Sequence, residues 1–143
     1  MMFSRSTEYA IRAMTFLAGQ EPGKLAGARE ISEAEGIPMP FLWKILQQLT
    51  RRKLVRSFKG IRGGYELARP AKGVNLNEIF LATDGMDFRD SCVLGLPQCD
   101  LVNPCPLHNQ WNDIRTGMTD MLDRTSLADL ASVTRKAERE PKH

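Results

Sequence analysis

Apolar positions recur at helical spacing in the first part of the chain. From residue 7 to residue 19, Ala10, Ala13, Met14 and Leu17 return every three or four positions, which predicts an amphipathic helix that Ser6 can cap. Residues 27–35 predict a short second helix with Ile31 and Ala34 inward and Gly36 ending it. A third helix is predicted to begin near Met39. Leu42, Ile45, Leu46 and Leu49 form its apolar stripe, and Pro38 and Pro40 suit a first turn, where a missing N–H costs little.

The period then changes from helix to strand. "LVRSF" and "YELA" read as two strands joined by "KGIRGG", with Tyr65 and Leu67 inward, Glu66 outward and three glycines that let the tip lie close to another backbone. "VNLNEIFLATDG" reads as a helix capped by Asn75, with Glu78 three residues on and Val74 able to staple to Ile79. Trp111, Ile114, Met118, Met121 and Leu122 fall on one face of a helix from about Pro106 to Arg124. "SLADLA" adds a short helical turn, and the charged end "RKAEREPKH" is expected to fray.

A helix, a tight glycine turn, a second helix and then a two-stranded hairpin is the order of a winged helix-turn-helix. The expected fold is therefore mainly α, with a small β-hairpin wing and a long C-terminal dimerisation helix. That helix follows a domain that is already complete, and its apolar stripe is broad. The expected division is 1–85 for the winged domain, 86–109 for a cysteine-rich loop, and 110–143 for the dimerisation helix and charged tail.

Charge distribution sharpens this picture. The chain of 143 residues has a net charge of only +3. Between Gly36 and Tyr65, however, lie Lys44, Arg51, Arg52, Lys53, Arg56, Lys59 and Arg62 and no acidic residue, which leaves 13 basic against 17 acidic residues elsewhere. A one-signed segment on an otherwise acidic protein points to an anionic polymer, here double-stranded DNA. With the apolar stripe of the third helix inward, Met39, Pro40, Trp43, Lys44, Gln47 and Arg51 are the positions expected to face DNA. Gln47 suits adenine, Lys44 guanine or a phosphate, and Trp43 a thymine methyl or a sugar unless it packs on the first helix. Lys59 and Arg62 belong to the wing tip, where an arginine can enter a narrow minor groove. Arg51, Arg52 and Arg56 suit phosphates.

No apolar run approaches the roughly 18 residues that a membrane span requires, and Arg5, Glu8 and Arg12 interrupt the N-terminal apolar residues. A cytoplasmic protein with no membrane partner is expected. In that compartment the three cysteines, all within "CVLGLPQCDLVNPCPLH", argue for a metal or redox site rather than a disulfide framework. Cys92, Cys99, Cys105 and His108 are spaced x6, x5 and x2. Thiolates with one imidazole suit an iron–sulfur cluster or zinc; the wide gaps favour the cluster, and a structural zinc site is the alternative. No acid–base pair, phosphate loop or nucleotide fingerprint is present, so no enzyme is expected.

At these residues the chain resembles the winged-helix iron–sulfur transcription regulators that include IscR, NsrR and RirA. The resemblance spans almost the whole chain. It is carried by "STEYAIRAM", "ISEAEGIPMPFLWKILQQL", "GIRGGYELARP", the three-cysteine loop and "TSLADLA". It implies a homodimer, an iron–sulfur cluster on the three cysteines, and operator binding governed by that cluster under iron, redox or nitric oxide status. "CPLHNQW" is similar to the IscR pattern in which the histidine completes a 2Fe–2S site, so the match favours His108. NsrR-like members hold 4Fe–4S with an acidic residue from the partner's first helix, a place that Glu8 occupies here. The x6 gap is closer to RirA. Trp43 stands where IscR has an acidic residue, so the family's rule for choosing operators does not transfer to this position.

Overall fold

The computed structural model describes residues 4–84, 94 and 105–139. Its elements are α1 (Arg5–Ala18), α2 (Ala28–Glu35), α3 (Met39–Arg51), β1 (Val55–Phe58), β2 (Gly64–Leu67), a 3-10 turn (Ala71–Gly73), α4 (Leu76–Thr83), α5 (His108–Arg124) and α6 (Leu127–Arg139). Among the described residues, six helices and one hairpin thus make a mainly helical winged fold, as the periodicity predicts.

One core joins nearly all of these elements. Ala10, Ala13, Met14 and Leu17 of α1 are buried against Ile31, Ile37, the α3 stripe Leu42, Ile45, Leu46 and Leu49, and Leu54, Val55, Val74 and Ile79. Leu122 from the end of α5 and Leu127 from α6 enter the same core. The small residues at Ala10 and Ala13 let neighbouring helices approach α1 closely, and each fully buried Leu or Ile contributes on the order of 1.5–3 kcal/mol.

The turn between α2 and α3 requires a left-handed residue. Gly36 supplies it at φ 63°, and its N–H closes the helix on the Ser32 carbonyl. α3 ends differently. The Lys53 N–H donates to the Thr50 carbonyl and the Leu54 N–H to the Leu49 carbonyl, both at 3.0 Å, in a Schellman cap. The left-handed position of that cap is Lys53, at φ 60°. A residue with a Cβ is strained there, and the buried Leu49 and Leu54 on either side hold it in place.

β1 and β2 pair antiparallel, with Val55 opposite Leu67, Arg56 opposite Glu66, Ser57 opposite Tyr65 and Phe58 opposite Gly64. The wing is stitched to the rest of the domain at its root. Ala26 and Tyr65 exchange two backbone hydrogen bonds, of 3.0 and 2.8 Å. In the turn, Gly63 is required because a Cβ there would overlap the Phe58 carbonyl oxygen.

Several local expectations need correction. The cap of α1 is Ser4, not Ser6. Its Oγ accepts from the Thr7 N–H at 3.2 Å and donates to Asp84 Oδ1 at 2.5 Å, while the buried Thr7 Oγ1 donates to Asp84 Oδ2 at 2.9 Å. Asp84, at the end of α4, therefore ties that helix to the positive end of α1. Ala34 is exposed rather than inward. α5 begins at His108, two residues later than expected. The helix after it is far longer than one turn and folds back on α1 and the 3-10 turn. The Leu76 N–H donates to the Thr125 carbonyl at 3.0 Å, and the Leu127 N–H to the Val74 carbonyl at 2.8 Å, which clasps the start of α4 to the start of α6. The segment expected to fray stays helical to Arg139, and residues 140–143 lie outside the described ones. The Asn75 capping box forms as read, with Glu78 Oε2 accepting from the Asn75 N–H and Asn75 Oδ1 from the Glu78 N–H.

Replacing Lys53 by glycine is expected to relieve the left-handed strain and raise stability by about 0.5–1 kcal/mol. Urea denaturation of the two proteins checks this: the midpoint should rise, with the slope unchanged.

Candidate nucleic-acid interface and thiol site

α3 presents its polar side outward because its four apolar residues are locked in the core. Pro40, Trp43, Lys44, Gln47 and Arg51 are exposed, as expected. Met39 is not freely exposed: it is half-buried and packs against the core. Trp43 is 50 % exposed. The aromatic of α3 that meets the first helix is Phe41, whose ring lies edge-on to Tyr9 with centroids 6.2 Å apart. Such a pair adds about 0.5–1.5 kcal/mol beyond its buried area. Arg12 lies 5.6 Å above the same Tyr9 ring and reaches Glu35 at 3.6 Å, so Tyr9 and Arg12 tie α1 to both helices of the helix-turn-helix.

Strand alternation sorts the charges of the wing. A cleft runs between α3 and the hairpin. Trp43, Gln47, Thr50 and Arg51 line it on one side, and Ser57, Lys59 and Tyr65 on the other. Arg56 and Glu66 point to the opposite face of the hairpin, where they line a separate hollow with residues 20–24. They are paired across the strands at 3.2 Å. Arg56 is thus turned away from the cleft and partly neutralised, unlike Arg51 and Lys59. The run of basic residues in the sequence did not separate these two groups; the strand register does. Thr50, Ser57 and Tyr65 are cleft residues that the sequence reading did not single out. Lys59 and Arg62 are exposed at the wing turn.

The thiol site is described in part. Cys92 and Cys99 lie outside the described residues. Cys105 is a half-buried free thiol in the turn before α5, and its carbonyl accepts the His108 N–H at 3.0 Å. Cys105 and His108 therefore stand together at one helix N-terminus, as the x2 spacing suggests, although Cys105 precedes the helix. The cap residue, Leu107, has no side-chain acceptor for the N–H groups of the first turn. That end of α5 has first-turn N–H groups without a side-chain acceptor and carries the positive pole of the helix. A soft thiolate and a borderline imidazole are donors that suit iron–sulfur or zinc chemistry. Glu8 lies half-buried in the first turn of α1, one residue from the Thr7 that holds Asp84.

Along α5, Leu122 is buried, but Ile114 and Met121 are exposed and Trp111 and Met118 are half-buried. Two of the five residues of the predicted apolar stripe, Ile114 and Met121, are thus left exposed. No helix among the described residues is long and apolar enough to cross a membrane.

Comparison with known proteins agrees with this architecture. A protein of Mycobacterium tuberculosis named as an HTH-type transcriptional regulator is 37 % identical over 134 residues, covering 92 % of this chain and 81 % of its own. The HTH-type transcriptional regulator IscR of Vibrio vulnificus is 28 % identical over 132 residues, covering 92 % of this chain and 78 % of its own. Among solved structures, CymR, the global cysteine regulator of B. subtilis, superposes with a TM-score of 0.79 at 24 % identity, over 93 % of this chain and 98 % of its own. These relatives are regulators rather than enzymes. The profile of the Rrf2 family, described as an iron-dependent transcriptional regulator, matches residues 3–133, and the chain belongs to this family of DNA-binding transcriptional regulators.

Proposed function

We propose that the chain is a homodimeric regulator whose grip on operator DNA is set by an iron–sulfur cluster. The observation that carries this reading is the placement of Cys105 and His108 within one backbone turn at the start of α5, which lacks a side-chain cap, in a chain whose other two thiols lie in the same short segment. Three thiolates close together repel one another, and a cationic inorganic core removes that repulsion. Cys92, Cys99 and Cys105 are the sulfur ligands. His108 is the favoured fourth ligand, for a 2Fe–2S cluster; Glu8 of the partner subunit is the alternative, for 4Fe–4S. Bound, the cluster would supply a centre that oxidants, nitric oxide or iron shortage can change. The protein's own part would be to hold the donors, Cys105 and His108 beside the first-turn N–H groups of α5.

Under this reading, residues 1–85 read DNA, 86–109 hold the cluster and 110–143 pair the subunits. Trp111, Ile114, Met118 and Met121 form the dimer seam. Met39, Pro40, Trp43, Lys44 and Gln47 face the major groove, Arg51 and Lys59 grip phosphates from the two walls of the cleft, and Arg62 enters the minor groove.

Protein prepared without oxygen should be coloured and carry iron and sulfide, and Cys92→Ala should lose both. A colourless protein loaded with zinc would establish the structural-metal alternative instead. Mössbauer spectra of His108→Ala and Glu8→Ala should show which residue completes the site. Operator affinity should differ between cluster-loaded and cluster-free protein; equal affinity removes the regulatory role.

Salt titration of DNA binding tests the cleft. Arg51→Ala and Lys59→Ala should each reduce the slope of log K against log salt by about 0.9, the value for one phosphate contact. Arg56→Ala should leave the slope as it is. For the dimer seam, Ile114→Asp should shift the protein towards monomer in sedimentation velocity, since it buries a charge in an apolar contact.

A further inference from the structure

We propose that Ile61 is an apolar wedge, which the wing tip drives between base steps of the minor groove so that the bound duplex is kinked. This rests on the reading above that the wing lies on DNA.

Ile61 is fully exposed, at 107 % of the reference area. The turn it occupies does not need it. Gly60 and Gly63 close that turn, with the Gly63 N–H donating to the Gly60 carbonyl at 3.0 Å. Turns favour Gly, Asn, Asp and Ser, and a β-branched aliphatic contributes nothing to one. Isolated exposed aliphatics are common on surfaces; the surroundings set this one apart. Lys59 and Arg62 flank it, both exposed, and no acidic residue occurs between Gly36 and Tyr65. An apolar knob between two cations fits a partner with anionic rails and an apolar stack between them. The minor groove of DNA has that form, and proteins that kink duplexes insert Ile, Leu, Phe or Met there beside Lys and Arg. The β-branch helps, because Ile61 has few rotamers to lose on insertion. The Ala26–Tyr65 hydrogen bonds anchor the wing root and give the tip a firm base to push against.

The test uses short duplexes that the full-length wild-type protein selects from a random pool. They carry a fluorophore at each end and 2-aminopurine in the step facing the wing. Wild-type protein should shorten the end-to-end distance and brighten the 2-aminopurine. Ile61→Ala should melt like wild type, because the side chain touches no core. It should bind roughly tenfold more weakly with the salt slope unchanged, and it should lose both the bend and the brightening. Ile61→Val should recover part of each. Arg62→Ala should instead reduce the salt slope by about one contact. An Ile61→Ala complex bent like wild type, or a wild-type complex that stays straight, overturns the wedge. If Arg62→Ala leaves both affinity and slope unchanged, the wing is off the DNA, and the underlying reading fails with the wedge.

Discussion

The structure depends on one buried helix face. Ala10, Ala13, Met14 and Leu17 of α1 are almost fully removed from solvent, and α2, α3, α4, α6 and β2 all pack against that helix. Two alanines in that face let the other helices come close, and close-packed interiors do not deform gradually. The position of α3, and so of the cleft wall it forms, is set through α1. The same helix receives Asp84 at its N-terminus through Ser4 and Thr7. A single rigid element thus touches both α3, which forms one wall of the cleft, and the residue from which the chain departs toward its cysteines.

Around that core, charge is arranged by geometry more than by composition. Seven basic residues fall within thirty positions, but the fold separates them. Arg51 and Lys59 stand on facing walls of one cleft, whereas Arg56 is turned to the other side of the wing and held by Glu66. The cleft therefore presents positive charge from two directions. The salt bridge on the far side, more than one-half exposed at Arg56, adds little stability. It holds the Arg56 guanidinium on the face of the hairpin away from the cleft.

Much of this was legible in the sequence, where one residue type had one strong reason to be where it is. The α3 stripe, the Gly36 turn, the Asn75 capping box and the wing all follow from local spacing and turn chemistry. The failures have a common cause, which is that distant partners decide between local near-equals. Ser4 and Ser6 are both plausible caps; Asp84, eighty residues away, selects Ser4. Lys53 carries no sign of a left-handed conformation, and the burial of Leu49 and Leu54 imposes it. The length of α6 did leave a signal. Ser126 and Asp129 form a reciprocal cap, with the Asp129 N–H on Ser126 Oγ and the Ser126 N–H on Asp129 Oδ2, both at 3.1 Å. The S-x-x-D spacing announces such a cap. For the thiol site, spacing placed Cys105 and His108 side by side, but the uncapped start of α5 emerges only from the backbone.

The clasp between Val74–Leu76 and Thr125–Leu127 has an evolutionary consequence. It makes everything from α4 to the end of α5 an excursion whose two feet are nailed to the same spot. The entropy of closing such an excursion grows only with the logarithm of its length, so doubling the length costs about 0.6 kcal/mol. Both hydrogen bonds of the clasp are made by residues outside the stretch between Asp84 and Cys105, so a change of length in that stretch leaves each of them its partner. One helical core can therefore carry connections of different span between the same two feet.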